Sequence, residues 1–376
     1  MVKERNYGID LFRLIAMLEI VILHILGHGG VVNALKVGMG GYIGVWALTI
    51  IVYGAVDCYA LLSGYVGYSE EKDINIGFDK YAKLWLQVTF YSFIITLIAK
   101  IFLPSEITLG SIIKALFPVT FGEYWYFCAY TGIFFLLPFL NRLIQNLKEK
   151  ELYFLIITIT VIYSVYAGIM GKLNDPFSIK SGSSFIWLLL LYIIGASLRK
   201  LKIANKVSGK KALLIACSLL VFTWLTVIII PSCSIYILHR EAGRGLLVSY
   251  TSPTILLASM LLLILFANIH PRKWLLKIIK YFSPATFGVY LIHDHPVVRN
   301  VFITDKFSRL VEGNVIYMVF TVLGTAIIIF FVCLLVEKVR LRIFKCLKID
   351  VLTDKAGQYV KQIFNYFTEL MIDKKL

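Results

Sequence analysis

Five ionisable residues lie in the first apolar run of the sequence, at a depth where such groups are rare. The run reads GIDLFRLIAMLEIVILHILGHGG and contains Asp10, Arg13, Glu19, His24 and His28. On a helix, Arg13 and His24 share a face to within about 20° and lie about 16 Å apart, with Asp10 and His28 within about 40° of it. Glu19 lies about 140° away from His24. Ionisable groups at such depth must face a cavity or a partner, so this face predicts a polar track through the span.

The track suits a reaction whose donor enters from the cytoplasm and whose acceptor lies deeper or outside. In this interpretation Arg13 and His24, which share one face of the helix, both take part in the reaction. The structural alternative is that Arg13 reaches the interface, Asp10 caps the helix and His24 packs through a hydrogen bond.

The composition predicts a membrane protein. The 376 residues are 59% hydrophobic and 16% charged, with a mean hydropathy of +0.81, whereas soluble domains keep about a quarter of their residues charged. The net charge of +16 would suggest nucleic acid in a soluble protein, but the basic residues lie between apolar runs and indicate topology instead. The six cysteines form no CxxC pair and predict neither a disulfide framework nor a metal site.

Apolar runs of membrane-spanning length predict an all-α bundle of about ten transmembrane helices. They lie near residues 9–28, 43–66, 81–103, 124–143, 152–170, 184–199, 212–231, 250–269, 284–298 and 314–337. Lysines and arginines concentrate in the segments on one side, which by the positive-inside rule predicts that the N- and C-termini are cytoplasmic. We therefore expect a transmembrane domain over 1–349 and a cytoplasmic amphipathic tail over 350–376.

Four further stretches carry polar and aromatic residues at defined spacings. They are DCYALLSGY in the second span (Asp57, Ser63 and Tyr65), KYAK at the start of the third (Lys80 and Lys83), EYWY at the fourth (Glu123 and Trp125) and TFGVYLIHDHP in the ninth (Tyr290 and His293). In the last stretch Asp294 stands beside two histidines, where a carboxylate either orients an imidazole or receives a hydroxyl of a substrate. The alternative is that these residues form a helix end at the membrane interface, in contact with lipid headgroups. Ser63 is a candidate nucleophile or, beside Gly64, part of a close helix contact.

In order and spacing these motifs resemble the acyltransferase-3 superfamily of membrane acyltransferases, from residue 8 to about residue 337. The family's first span carries a basic residue, ten residues and then a histidine, which Arg13 and His24 match, with Asp10 three positions before the arginine. The family's second-span pattern D-x-F-x-x-x-S-G-[FY] is matched with Tyr59 in the phenylalanine position. Its R-x-x-R at the third span is K-x-x-K here, which keeps the charge but loses the planar guanidinium.

The resemblance implies transfer of an acetyl group from cytoplasmic acetyl-CoA to a hydroxyl of a cell-surface polysaccharide or a lipid-linked glycan precursor. It implies a catalytic role for His24 and Asp10, and coenzyme binding by Arg13, Lys80 and Lys83. The acceptor-binding residues that it implies are Asp57, Ser63, Tyr65, Glu123, Trp125, Tyr290 and His293. Acetyl-CoA would be a substrate rather than a permanent cofactor, and the other partners would be membrane lipids of the plasma or inner membrane.

A transporter or flippase for a lipid-linked or acidic solute is the alternative, because it would use the same polar track. Such proteins commonly contain paired discontinuous helices in two related halves, and the sequence shows no such symmetry. A membrane sensor or scaffold is a third interpretation, which leaves the polar face of the first span without a purpose. Nucleic acid is not an expected partner, and the sequence leaves the oligomeric state open.

Overall fold

The computed structural model describes residues 5–70, 76–171 and 174–373, and in these ranges the chain is helical without any β-strand. We number the longer helices α1 to α13. They are α1 (Tyr7–Gly27), α2 (Tyr42–Tyr53), α3 (Ala55–Gly67), α4 (Phe78–Phe102), α5 (Trp125–Asn146), α6 (Glu149–Met170), α7 (Phe185–Lys200), α8 (Gly209–Leu238), α9 (Pro253–Ala267), α10 (Lys273–Phe282), α11 (Thr286–His293), α12 (Val315–Cys346) and α13 (Ile349–Asp373).

Seven helical segments within the described ranges are long and apolar enough to cross a membrane. They are Tyr42–Gly67, Phe78–Phe102, Trp125–Asn146, Glu149–Met170, Gly209–Leu238, Lys273–His293 and Val315–Cys346. The chain is therefore a multi-pass membrane protein. Three more of the expected spans coincide with α1, which carries three charged residues, and with the short helices α7 and α9. The count of ten spans and the cytoplasmic termini stay predictions.

Three segments differ clearly from the boundaries expected from the sequence. The tenth was expected to end at residue 337, but α12 continues to Cys346. The ninth span was expected over 284–298, but the helical segment begins at Lys273 and ends at His293. Its first part, α10, contains three lysines that interrupt the apolar run in the sequence; their long stems let the charged ends reach an interface. The seventh was expected to end at Pro231, but α8 continues to Leu238. A proline removes only one backbone donor, and the helix resumes beyond it.

The first helix lies at the centre of the bundle. It packs against α2, α3, α9, α10, α11 and α12, and most of its apolar side chains are buried. The side chain of Asn6 caps its N-terminus by accepting hydrogen bonds from the backbone N–H groups of Gly8 and Ile9. Asp10, which the structural alternative made the cap, is therefore free to contact side chains inside the bundle.

α3 and α7 approach each other closely beside the N-terminal end of α1. A Cβ on Gly64 would overlap the carbonyl oxygen of Tyr192, and a Cβ on Gly195 would overlap that of Leu61. Small residues at these two positions let the backbones touch, as in many membrane helix pairs. Arg199, one turn beyond Gly195 on α7, consequently lies over the ring of Tyr65 on α3, with 5.1 Å between its Cζ atom and the ring centroid.

A buried charge cluster joins α12 to α4. Glu337 of α12 is buried and pairs with Arg340, and it accepts hydrogen bonds from Gln87 Nε2 (3.1 Å) and Tyr91 Oη (2.6 Å) of α4. This network satisfies a carboxylate that would be costly if left alone at such depth.

The last helix, α13, packs against the N-terminal end of α4. Its residues Asp354 and Asp350 hold the amino group of Lys83 at 2.9 and 3.4 Å. Residues 349–373 thus form a helix within the expected tail, and its place on the membrane surface stays a prediction.

Candidate functional site

Four cavities lie in a row along one face of α1. That face carries Arg13, Met17, Ile20 and His24, whose spacings of four, three and four keep them on one side of a helix. Each of these four side chains lines at least one of the cavities. The face of α1 on which the sequence predicted a polar track therefore borders a row of cavities. Glu19, on the opposite side of α1, lines none of the four.

The C-terminal half of the row contains a large cavity and a narrow one. The histidine cavity has a volume of about 640 Å³ and is lined by His24, His28, Asp294 and Arg299, together with several aromatic side chains. The neck has a volume of about 40 Å³ and is lined by His24 and Tyr290, among others. His24 therefore borders both spaces.

The N-terminal half of the row contains two cavities of about 310 Å³ each. The aromatic cavity is lined by Arg13, Tyr59 and Tyr130, with further aromatic side chains. The arginine cavity is lined by Arg5, Arg13 and Arg199, beside Asp10 and Tyr65.

Neighbouring cavities share side chains, which is why we describe them as a row. His24, Trp125 and Tyr250 line both the histidine cavity and the neck. Tyr59, Tyr126 and Phe287 line both the neck and the aromatic cavity. Arg13 and Val66 belong to both the aromatic and the arginine cavities.

A hydrogen-bonded pair of histidines lies where the neck meets the histidine cavity. His293 Nε2 is 3.1 Å from His24 Nδ1, and His293 Nδ1 is 2.7 Å from the carbonyl oxygen of Val289. His293 is completely buried. Residues 24 and 293 are far apart in the sequence, and α11 brings the second histidine against the first by packing beside α1.

This geometry determines which nitrogen of His24 keeps its lone pair. A carbonyl oxygen only accepts, so Nδ1 of His293 donates its proton to Val289, and Nε2 of the neutral ring is left as an acceptor. His24 must then donate from Nδ1 to His293, which leaves its Nε2 unprotonated. Within the described part of the chain Nε2 of His24 has no hydrogen-bond partner. His24 is thus held in the tautomer that a general base requires.

The carboxylate of Asp294 lies beside Nδ1 of His24, the nitrogen that donates to His293. Asp294 Oδ1 is 3.6 Å from His24 Nδ1 and 3.0 Å from Nη1 of Arg299. Asp294 is buried, so it can stabilise the positive charge that His24 acquires when it takes a proton. The sequence raised this orienting role for Asp294, whereas Arg299 was missed because nothing in its local pattern marks it.

The ligand atoms of His24, His28 and Asp294 lie within 4.8 Å of one another, close enough to hold a metal ion. The sequence predicted no metal site. Arg299 already satisfies one oxygen of Asp294, and the guanidinium adds positive charge next to the position a cation would occupy. The cluster therefore fits proton transfer better than metal binding.

Asp10 organises the N-terminal end of the row. Its carboxylate accepts hydrogen bonds from Arg5 Nε (2.5 Å), Arg13 Nη1 (3.0 Å) and the Ser283 hydroxyl (3.2 Å). Asp10 is buried and lies about four turns from His24, so it positions the two arginines and is too far away to exchange a proton with His24 directly.

The three predicted site residues of the second span lie in different surroundings. The buried carboxylate of Asp57 accepts a hydrogen bond from Nε1 of Trp187 (3.0 Å), which joins α3 to α7. Ser63 lines the aromatic cavity and donates to the carbonyl oxygen of Tyr59 at 3.0 Å. Tyr65 lines the arginine cavity.

The remaining predicted residues divide between the row and its surroundings. Trp125 lines both the histidine cavity and the neck, and Tyr290 lines the neck. Lys80 and Lys83 line none of the four cavities. Glu123, just before α5, also lies outside their linings, and burial raises the pKa of its carboxyl group.

A comparison with protein families matches residues 6–337 to the acyltransferase-3 model, described as an acyltransferase domain. No curated protein and no solved structure matches the chain. The match covers most of the chain, and it includes α1, the histidine pair and the lining residues of the four cavities except Arg5. The chain therefore belongs to the acyltransferase-3 family of membrane acyltransferases.

Proposed function

We propose that this protein is an O-acetyltransferase that moves an acetyl group from acetyl-CoA to a hydroxyl of a cell-envelope glycan or a lipid-linked saccharide. The observation that carries the proposal is the hydrogen-bonded series from the Val289 carbonyl through His293 to His24. It prepares Nε2 of His24 to accept a proton beside the neck, where the row narrows and the two substrates would meet.

The reaction uses His24 as a base and then as an acid. Nε2 takes the proton of the acceptor hydroxyl as its oxygen attacks the thioester carbonyl, and a C–O bond forms. The tetrahedral intermediate then collapses, the C–S bond breaks, and the departing coenzyme sulfur takes the proton from His24. The products are the acetyl ester and free coenzyme A. Asp294, 3.6 Å from Nδ1, stabilises the imidazolium formed between the two steps.

The donor and the acceptor would approach the neck from opposite ends of the row. The aromatic and arginine cavities carry the cations that suit a phosphorylated donor. The histidine cavity offers Trp46, Tyr53, Trp125 and Tyr250 as flat apolar surfaces, with the polar side chain of Asn33 among them. Its volume of about 640 Å³ is in the range of small-molecule sites. With the N-terminus in the cytoplasm, the donor end of the row would open inwards.

Tyr290 is suited to stabilise the oxyanion of the intermediate. It is buried in the lining of the neck, and its hydroxyl group forms no hydrogen bond of normal geometry among the described residues, with the backbone of Tyr126 nearby. A buried hydroxyl without a partner is costly, and a negatively charged oxygen in the neck would accept its proton. Donors prearranged for an oxyanion are a major source of catalysis in acyl transfer.

Tyr290→Phe removes only this donor and should lower kcat by about 10- to 100-fold, the usual worth of a hydrogen bond to a charged group. Because the bond forms in the transition state, KM for acetyl-CoA should change little. Steady-state kinetics of the purified protein measure both constants. The exposed Tyr317 provides the control, since Tyr317→Phe should leave kcat unchanged. A normal kcat in Tyr290→Phe would assign the oxyanion to another donor.

Reconstitution in lipid vesicles distinguishes acyl transfer from transport. The protein is supplied with radiolabelled acetyl-CoA on the side of its N-terminus and with lipid-linked saccharides in the membrane. We expect label in an ester on the saccharide, and none when the donor is supplied only on the opposite side. Movement of the saccharide across the membrane without esterification would instead support a flippase.

A further inference from the structure

We propose that the arginine cavity binds the phosphate groups of the donor coenzyme, and that Arg199 is the main contact. Arg199 lies at the C-terminal end of α7, outside the motifs that the sequence singled out. The inference rests on the proposed function, because it concerns the donor of that reaction.

The first argument is the charge balance of the cavity. Arg5, Arg13 and Arg199 line it against the single carboxylate of Asp10. Arg5 and Arg13 both bond to that carboxylate, so together with it they keep one positive charge, and Arg199 adds a second. A cavity with this excess attracts an anion, and guanidinium groups match phosphate oxygens geometrically.

The second argument is the set of contacts that Arg199 makes. Its guanidinium lies over the ring of Tyr65 and its Nη1 atom is 3.4 Å from the Tyr65 hydroxyl. In the described ranges no carboxylate pairs with Arg199. Stacking on a ring holds the group in place while its N–H edge stays able to donate. Arg199 is thus held in position and electrostatically unsatisfied.

The third argument is distance along the row. The arginine cavity adjoins the aromatic cavity through Arg13 and Val66, and the aromatic cavity adjoins the neck. Arg13 and His24 are about 16 Å apart along α1. With its phosphates at the arginines, a coenzyme would lay its extended pantetheine arm along the aromatic cavity and present the thioester at the neck.

The lysines of the third-span motif are less well placed for this role. Lys83 is held by Asp354 and Asp350 of α13, so binding a phosphate would require breaking those ion pairs. Lys80 is exposed and contributes to none of the four cavities. The arginines, by contrast, open directly onto the path to His24.

A comparison of two donors tests the proposal. S-acetyl-pantetheine carries the same thioester and arm as acetyl-CoA but has no phosphate. We expect Arg199→Gln to lower kcat/KM for acetyl-CoA by about 10- to 100-fold and to leave kcat/KM for S-acetyl-pantetheine unchanged. Arg199→Lys should lie between, because a point charge replaces the planar group. Arg272→Gln, which removes an exposed cation outside the row, is the matched control and should affect neither donor.

Equal losses with both donors, or no loss with acetyl-CoA, would overturn the assignment of Arg199. Calorimetric titration of the purified protein with coenzyme A separates this inference from the proposed function, since binding needs no turnover. Binding that weakens about 10- to 100-fold in Arg199→Gln, in a protein that transfers no acetyl group, would support the phosphate site and reject the acetyltransferase. Acetyl transfer with unchanged coenzyme affinity in Arg199→Gln would reject the phosphate site alone.

Discussion

Replacing His24 with alanine should lower the rate of acetyl transfer by about 10²–10⁴-fold, the usual contribution of a general base. The loss should appear in kcat for every donor and acceptor, because proton transfer is common to all of them. Coenzyme binding should survive, since the arginine cavity lies about 16 Å away along α1. Steady-state turnover and calorimetric titration with coenzyme A measure the two effects separately.

The control for this variant is a histidine outside the row. His270 is exposed and its Nδ1 atom lies 3.1 Å from the backbone oxygen of Asn268, so His270→Ala should keep full activity. Thermal unfolding of both variants should resemble that of the parent protein. Near-normal turnover in a folded His24→Ala protein would show that His24 is a packing residue, as the structural alternative holds.

We expect the second large loss of activity when His293, the hydrogen-bond partner of His24, is replaced. His293→Leu removes the acceptor for the Nδ1 proton of His24, so His24 can adopt the tautomer in which Nε2 is protonated and unable to act as a base. Loss of the aspartate that orients the histidine of a Ser-His-Asp triad costs about 10⁴-fold. We expect a loss of about 10²–10⁴-fold in kcat, with little change in coenzyme affinity.

His293→Gln is the informative companion variant, because the oxygen of its side-chain amide can accept the same proton. It should recover a substantial part of the activity lost in His293→Leu. If the two variants are equally impaired while both remain folded, His293 acts through packing or through the acceptor substrate. The latter is the role implied by the family resemblance.

Sequence periodicity predicted the face of α1 that borders the cavities, because Arg13 and His24 lie on one helix. The spacing of Arg13 and His24 is a property of helical geometry alone, and the cavities follow the predicted face. The pairing of His24 with His293 could not be obtained in this way. It depends on how α11 packs against α1, and the order of residues within either helix carries no information about that register.

The same limit explains why the arginine cavity was missed. Arg199 enters it because Gly64 and Gly195 bring α3 and α7 into backbone contact, and such packing is visible only in three dimensions. Lys83 shows the converse. The motif gave it a role beside the coenzyme, whereas the structure pairs it with two aspartates of α13, a helix that lies beyond the matched family domain.

The helix boundaries were predictable where apolar residues run without interruption. The first predicted span, 9–28, coincides with α1 although this helix carries Asp10, Arg13 and Glu19. Hydropathy placed the start of the ninth span too late, since the lysines of α10 interrupt the apolar run in the sequence although the segment is helical from Lys273.

The most direct test of the account measures free thiol and acetyl ester together. Purified wild-type protein and its His24→Ala variant are incubated with acetyl-CoA and with glycans extracted from the cell envelope of the producing organism. We predict that the wild-type protein releases one coenzyme thiol for each ester formed, only when glycan is present, and that the variant releases almost none. Equal release by the two proteins, or no release by folded wild-type protein, would contradict a His24-catalysed acetyl transfer.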